Sequence, residues 1–148
     1  MPPLIIRAAA ASDVASIHAI ERQSATASHW TSAQYEKLLK NGVVLVAEHT
    51  GDLRGFICVN PIAGEWEIEN LLVAPEFQRR GIAEALVREL IHRVRSQAAK
   101  AILLEVRESN EPARRLYEKL AFRQLGRRRG YYANPPEDAV LYALQFVS

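Results

Sequence analysis

Apolar positions along this chain change their spacing several times, and each change marks the start or end of an element. Leu4-Ile5-Ile6-Arg7 reads as a short strand. Val14, Ile17, Ala19 and Ile20 then fall at helical spacing behind Ser12 and Asp13, either of which is a suitable N-cap. Thr31-Ser32-Ala33-Gln34 has the form of a capping box and predicts a second short helix ending near Asn41-Gly42. Val43-Val44-Leu45-Val46-Ala47 is a continuous apolar strand, and Thr50-Gly51-Asp52-Leu53 is the turn of a hairpin into Gly55-Phe56-Ile57-Cys58-Val59. The next strand, Trp66 to Val73, begins in strict alternation and ends fully apolar. Between about residues 79 and 97 the period becomes helical. Ile82, Leu86, Leu90 and Val94 form one stripe, with Glu84, Arg88, His92 and Arg95 opposite. Ala101 to Val106 returns to strand. Asn110-Glu111-Pro112 opens a helix carrying Ala113, Leu116, Tyr117 and Leu120, since proline is tolerated in a first turn. Two last strands, around 122–132 and 139–146, flank a Pro135-Pro136 turn.

A strand–helix–strand unit over 68–106, between hairpin strands and a helix with two further strands, predicts an α/β fold with a mixed sheet. At 148 residues, 49% of them hydrophobic and 24% charged, the expectation is one soluble domain spanning 1–148. No apolar run approaches the roughly 20 residues of a membrane span, and Met1 to Arg7 lacks a charged start and cleavage site. These features predict a cytoplasmic protein with no membrane partner. The single cysteine, Cys58, lies inside an apolar strand, which excludes an internal disulfide and a multi-cysteine zinc site. His18, His29, His49 and His92 show no metal-ligand spacing, so no metal is expected. The net charge of +2 is too small to advertise nucleic acid, although Arg79-Arg80, Arg114-Arg115 and Arg127-Arg128-Arg129 are local basic clusters suited to a polyanion.

Candidate chemistry begins where the 66–73 strand meets Pro75. Gln78-Arg79-Arg80-Gly81-Ile82-Ala83 is a short basic turn opening a long helix, so free backbone N–H groups and the positive end of a helix dipole coincide there. Gly81 and Ala83 are small enough to let an anion reach the backbone, and Arg79 and Arg80 add charge. With one glycine and no Gly-Lys-Ser/Thr, the turn is neither a Rossmann nor a Walker loop. An ordinary strand-to-helix connection is the plain alternative.

That turn resembles the (Gln/Arg)-x-x-Gly-x-(Gly/Ala) signature of the GNAT N-acetyltransferases. A second block is similar at almost every fixed position: Leu104-Glu105-Val106-Arg107-Glu108-Ser109-Asn110-Glu111-Pro112-Ala113-Arg114-Arg115-Leu116-Tyr117, continuing to Ala121-Phe122. Ala121 stands where the family pattern has glycine. The third block, Arg128 to Ala139, together with Glu105 and His29-Trp30-Thr31, looks like the RimI branch, the ribosomal-protein-alanine N-acetyltransferases. The resemblance implies a GNAT fold, a mixed sheet of about seven strands flanked by about four helices. It also implies acetyl-CoA as cofactor, its pyrophosphate held by Arg79, Arg80, Gly81, Ile82, Ala83 and Glu84. In GNAT proteins two central strands splay, which would free the backbone of Leu71, Leu72 and Val73 for the pantetheine; the Val73 N–H is the expected polarising donor for the thioester carbonyl. The family pattern adds Asn110, whose local alternative is a helix N-cap.

By the same resemblance Glu105 is the general base and Tyr117 the general acid. The local alternatives are a carboxylate paired with Arg107 at a sheet edge, and a core aromatic. An α-amine has a pKa of about 7.7–8.0 against about 10.4 for lysine, so it needs only a modest base. Trp30, Tyr131 and Tyr132 are expected around the acceptor groove, although adjacent strand residues face opposite ways, so at most one of the two tyrosines is expected to touch substrate. Glu67 and Glu69, on one side of their strand, could hold the substrate ammonium or form a solvated face. The expected partner is a protein N-terminus, that of an alanine-starting ribosomal protein, with the enzyme a monomer or weak homo-oligomer. Acetylation of a lysine or small amine, and a non-catalytic acetyl-CoA or RNA-associated module, remain the alternatives.

Overall fold

The computed structural model describes residues 3–24 and 29–146. Its elements, in chain order, are β1 (Ile5–Ala8), α1 (Val14–Arg22), α2 (Ser32–Asn41), β2 (Val43–His49), β3 (Asp52–Ile62), β4 (Glu65–Val73), α3 (Ile82–Arg95), β5 (Ala101–Arg107), α4 (Glu111–Lys119), β6 (Arg123–Ala133) and β7 (Pro136–Gln145). The strands form one seven-stranded sheet in the order β1-β2-β3-β4-β5-β7-β6. Only β4 and β5 run parallel; the other neighbours are antiparallel. This is the mixed α/β architecture that the periodicity predicts.

Alternation along the strands sends side chains to two cores, one on each face. Leu45, Ile57, Val59, Ile102, Leu104 and Val106 meet the Ile82-Leu86-Leu90-Val94 stripe of α3 and Tyr117 of α4. Val44, Val46, Phe56 and Cys58 meet Val14, Ile17 and Ile20 of α1 and Tyr35 and Leu38 of α2. Cys58 is fully buried, as a strand thiol should be, and burial pushes its pKa up.

Local signals hold in some places and fail in others. The capping box is present: Thr31 Oγ1 accepts from the Gln34 N–H at 3.1 Å, and Gln34 Oε1 accepts from the Thr31 N–H at 2.7 Å. The expected side-chain cap on α1 is absent. Asp13 closes a preceding 3-10 turn instead, accepting from the Ala10 N–H at 2.7 Å and pairing with Arg7 at 2.8 Å. The long helix starts at Ile82, where the turn at 78–83 was expected to open it, and the positive φ values of Arg79 and Gly81, 64° and 81°, keep it from starting earlier.

One irregularity positions the site. In the β3–β4 register Cys58 faces Asn70 and Val59 faces Ile68, so Glu69 is an extra residue on β4. The bulge switches the parity of the strand. Ile68 precedes it on the α3/α4 face, whereas Leu71 and Val73 reach that face after it.

Ala121 ends α4 with φ at 73°, the left-handed region that favours glycine. A non-glycine residue there costs about 1–2 kcal/mol. Less the roughly 0.5–1 kcal/mol that glycine's freer unfolded chain costs, Ala121→Gly should raise the thermal midpoint by about 2–4 °C in calorimetry, with activity unchanged.

Candidate active site

The parallel strands β4 and β5 pair from Trp66–Ile102 to Ile68–Leu104, and then part. A crevice of about 170 Å³ occupies the opening, lined among others by Glu69, Leu71, Leu72, Glu105, Asn110, Tyr117 and Tyr132. The main chain of β4 faces this gap with a fixed phase. Ala74 donates its N–H to the Arg54 carbonyl at 2.8 Å, so Arg54–Ala74 is a hydrogen-bonded pair and Gly55–Val73 is not. The N–H groups of Val73 and Leu71 therefore point away from β3, into the split. Leu72 turns its main-chain groups to β3 and its side chain to the α1/α2 core, so of Leu71, Leu72 and Val73 only the first and last offer backbone donors. The Val73 carbonyl accepts from Gln78 Nε2 at 3.3 Å, which ties the strand end to the following turn.

That turn runs through a short 3-10 segment, Pro75–Phe77, into the exposed residues Arg79, Arg80 and Gly81. No side chain caps α3, so its first N–H groups are open. A Cβ placed on Gly81 would meet nothing within 4 Å, so the space beside this backbone is empty of protein atoms. Uncapped donors, a helix dipole, Arg79, Arg80 and open space together fit a diphosphate. Arg80 and Arg54 sit over the Phe77 ring at 4.9 and 4.3 Å. The Ile82 side chain is buried in the core, and the Glu84 carboxylate is held by Lys119 at 2.7 Å and Arg88 at 2.9 Å. Ile82, Ala83 and Glu84 thus face an anion through backbone alone.

Tyr117 lies on the α3/α4 face, packed against Phe122 and Tyr142 at ring-centroid distances of 5.3 and 6.4 Å. Burial raises the pKa of its hydroxyl, which stays protonated at neutral pH. Asn110 caps α4, its Oδ1 accepting from the Ala113 N–H at 3.3 Å, and also borders the crevice.

Three carboxylates meet on the other face. Leu104 and Val106 turn to the α3/α4 core, so Glu105 between them points to the opposite side. Glu67 and Glu69 lie close enough for their charges to act on each other and on Glu105. Burial, with the Glu67 and Glu105 charges, lifts the Glu69 pKa to about 7, and burial with the Glu105 charge raises that of Glu67. Glu105 is not paired with Arg107, nor is its strand an edge. It pairs with Arg128 at 3.2 Å, and its charge raises the pKa of the Tyr131 hydroxyl.

Arg107 instead donates to the Pro135 carbonyl at 3.0 Å and the Asn134 carbonyl at 3.3 Å, pairs with Glu137 at 3.2 Å, and covers the Tyr132 ring at 4.2 Å. It thereby braces the β6–β7 bend over the crevice. Tyr131 and Tyr132 stand edge to face at 5.0 Å; Tyr132 is half-buried and lines the crevice, Tyr131 is exposed.

Trp30 is held by Glu21, a residue the sequence pattern did not single out. Glu21 is buried on α1, accepts from the Trp30 N–H at 3.2 Å and from the Tyr35 hydroxyl, and has His29 Nδ1 at 3.5 Å. Its one signal was a carboxylate continuing the apolar side of α1 after Ile17 and Ile20. Glu21→Ala strands the buried Tyr35 hydroxyl and the part-buried Trp30 N–H, so stability should fall by about 1–3 kcal/mol, read by denaturant titration. KM for the acceptor should rise while that for acetyl-CoA holds.

A family model, the acetyltransferase (GNAT) family, matches residues 12–122. The chain belongs to the GNAT acetyltransferases. A Bacillus subtilis protein named "Putative [ribosomal protein bS18]-alanine N-acetyltransferase" is 33% identical over 87% of each chain. The Escherichia coli [ribosomal protein bS18]-alanine N-acetyltransferase is 35% identical over 64% of this chain and 65% of its own. The crystal structure of the ribosomal-protein-S18-alanine N-acetyltransferase from Escherichia coli superposes with a TM-score of 0.89 at 26% identity, covering 99% of this chain and 96% of that one. Arabidopsis thaliana NAA60 in complex with acetyl-CoA shares the fold at TM-score 0.88 and 21% identity, over 97% of this chain and all (100%) of that one. This acetyltransferase is therefore RimI-like by sequence and by fold. Among its described residues no group of His, Cys, Asp or Glu could hold a metal ion, and no helix is long and apolar enough to cross a membrane.

Proposed function

We propose that this GNAT enzyme transfers the acetyl group of acetyl-CoA to the N-terminal α-amine of a protein, an alanine-starting ribosomal small-subunit protein, in the cytoplasm. The observation that carries the reading is the wall of carboxylates, Glu67, Glu69 and Glu105, on the face of the split opposite Tyr117. Clustered like charges are relieved by a cation, so this wall favours an ammonium-bearing acceptor. An α-ammonium gives up its proton at neutral pH for about 1 kcal/mol, whereas lysine requires roughly 4–5. A carboxylate base suits the first task far better.

The residues divide the work by position. Arg79, Arg80, Gly81 and the backbone through Glu84 hold the diphosphate, and Asn110 borders the pantetheine path. Acetyl-CoA supplies an activated acyl carbon on a thiol leaving group. The Val73 N–H faces the place where charge grows on the carbonyl oxygen, a small oxyanion site. Glu105 accepts the proton of the incoming ammonium, and Arg128 with Tyr131 keeps that carboxylate aimed. Tyr117 gives its hydroxyl proton to the departing sulfur. Trp30, Tyr131 and Tyr132 enclose the acceptor's first residues.

Incubation with acetyl-CoA and a peptide beginning Ala-Arg and bearing an internal lysine, read by fragment mass spectrometry, should place the acetyl group on the α-nitrogen. Modification of the lysine, or of neither amine, would refute the reading. In the same assay Glu105→Gln should cut kcat by about two orders of magnitude at neutral pH.

A further inference from the structure

Glu69 has a position and surroundings that the proposed roles leave unused. It is the extra residue of the β4 bulge, facing Cys58 together with Asn70, and the bulge turns it into the crevice just past the last β4–β5 pair. Glu105 is already engaged: Arg128 sits at 3.2 Å and Tyr131 is directed at it. Glu69 has no such cation beside it among the described residues. The charged and titratable groups acting on it are Glu67 on its own strand and Glu105 on β5, with the buried Cys58 thiol of β3 feeling its charge. Tyr117, Tyr132 and Arg107 line the same crevice, and Glu21 lies behind Cys58.

We infer that Glu69 is a second catalytic carboxylate, the one on which the acceptor's proton comes to rest after Glu105 has taken it. The inference rests on the proposed reaction at an α-amine. The Glu105 carboxylate already has Arg128 and Tyr131 as partners, and those contacts return to it once the acceptor's proton has moved on. Glu69 is half-buried, and the charges acting on it are those of other carboxylates, so it keeps a proton near neutral pH. Two such groups in one groove divide the base's work between docking the cation and storing its proton.

The protons and bonds balance. The ammonium N–H bond breaks, its electron pair stays on nitrogen, and the proton passes through Glu105 to Glu69. The nitrogen forms its bond to the acetyl carbon. The carbon–sulfur bond breaks, and sulfur takes the Tyr117 proton. The second proton on nitrogen restores Tyr117. Glu69 releases its proton to solvent as product leaves, one proton for each acetyl group moved from an ammonium.

The test is the pH dependence of kcat/KM, from about pH 5 to 9, for wild type, Glu69→Gln and Glu105→Gln on the Ala-Arg peptide. The wild-type profile should fall below about pH 7. Glu69→Gln should lose that acid limb and drop the plateau about tenfold to a hundredfold, with KM for acetyl-CoA unchanged. Glu105→Gln should move the limb to lower pH, since a like charge has gone. A Glu69→Gln enzyme with the wild-type rate and limb would overturn the inference. Should that variant fail to fold, carbon-13 titration of the wild-type glutamate carboxyls decides: one group titrating near 7 is expected, and none above the ordinary glutamate range is the contrary result. A wild-type enzyme that acetylates no peptide N-terminus refutes the reaction, while the carbon-13 titration still judges the carboxylate.

Discussion

Replacing Tyr117 with Phe should lower kcat by about two to three orders of magnitude and leave KM for acetyl-CoA near its wild-type value. The ring keeps its place, because its partners Phe122 and Tyr142 contact the aromatic face. What is lost is one hydroxyl at the wall of the crevice, the only proton source assigned to the departing sulfur. Burial holds that hydroxyl protonated well beyond neutral pH, so no alkaline fall in rate should trace to Tyr117 in the physiological range. Thiol release followed in steady state measures the loss, and a thermal scan confirms that the fold survives. A Tyr117→Phe enzyme at full rate would remove Tyr117 from the chemistry and leave it a core aromatic.

The second large effect belongs to the anion cradle. Gly81→Val should weaken coenzyme A binding by about one to two orders of magnitude, the cost of losing one or two hydrogen bonds to a charged group. The backbone there has φ at 81°, and the space a side chain would fill is the space left open beside the donors. A β-branched residue is both strained in that conformation and in the path of the ligand. Calorimetric titration with coenzyme A reads the change directly. Rate at saturating acetyl-CoA should recover, because Tyr117 and Glu105 lie beyond the turn. Equal affinity in the variant would move the diphosphate away from residues 79–84.

Much of this arrangement is legible in the sequence. The α3 stripe from Ile82 to Val94, the Thr31–Gln34 capping box and the apolar β2 follow from periodicity and capping, which are local properties. The strand-to-helix turn at 78–83 was legible for the same reason, since an anion cradle is built from consecutive backbone groups. What escaped depends on partners distant in the chain. Asp13 looked like a helix cap, but Arg7 and the Ala10 N–H outcompete that role. Sequence proximity points to Arg107 as the partner of Glu105, whereas its ion pair comes from Arg128 on β6. Glu21 became visible as a site residue only when folding brought Trp30 and Tyr35 to it.

The β4 bulge is an intermediate case. Simple alternation puts Glu67 and Glu69 on one side of the strand. The apolar positions of the strand, Ile68 and then Leu71 and Val73, change parity midway, which is the mark of an extra residue. That slip releases the Leu71 and Val73 N–H groups toward the split and turns Glu69 into it. The same single residue thus links the backbone donors to the carboxylate wall.

A crystal structure with a coenzyme A–peptide conjugate, acetyl-linked to an Ala-Arg N-terminus, puts both halves of the site to the test at once. The account predicts the diphosphate on the backbone of residues 79–84, the sulfur within hydrogen-bond reach of the Tyr117 hydroxyl, and the peptide leaving across Glu105 and Glu69 beneath Tyr132. A diphosphate bound elsewhere, or a peptide emerging on the α3/α4 face, would contradict it.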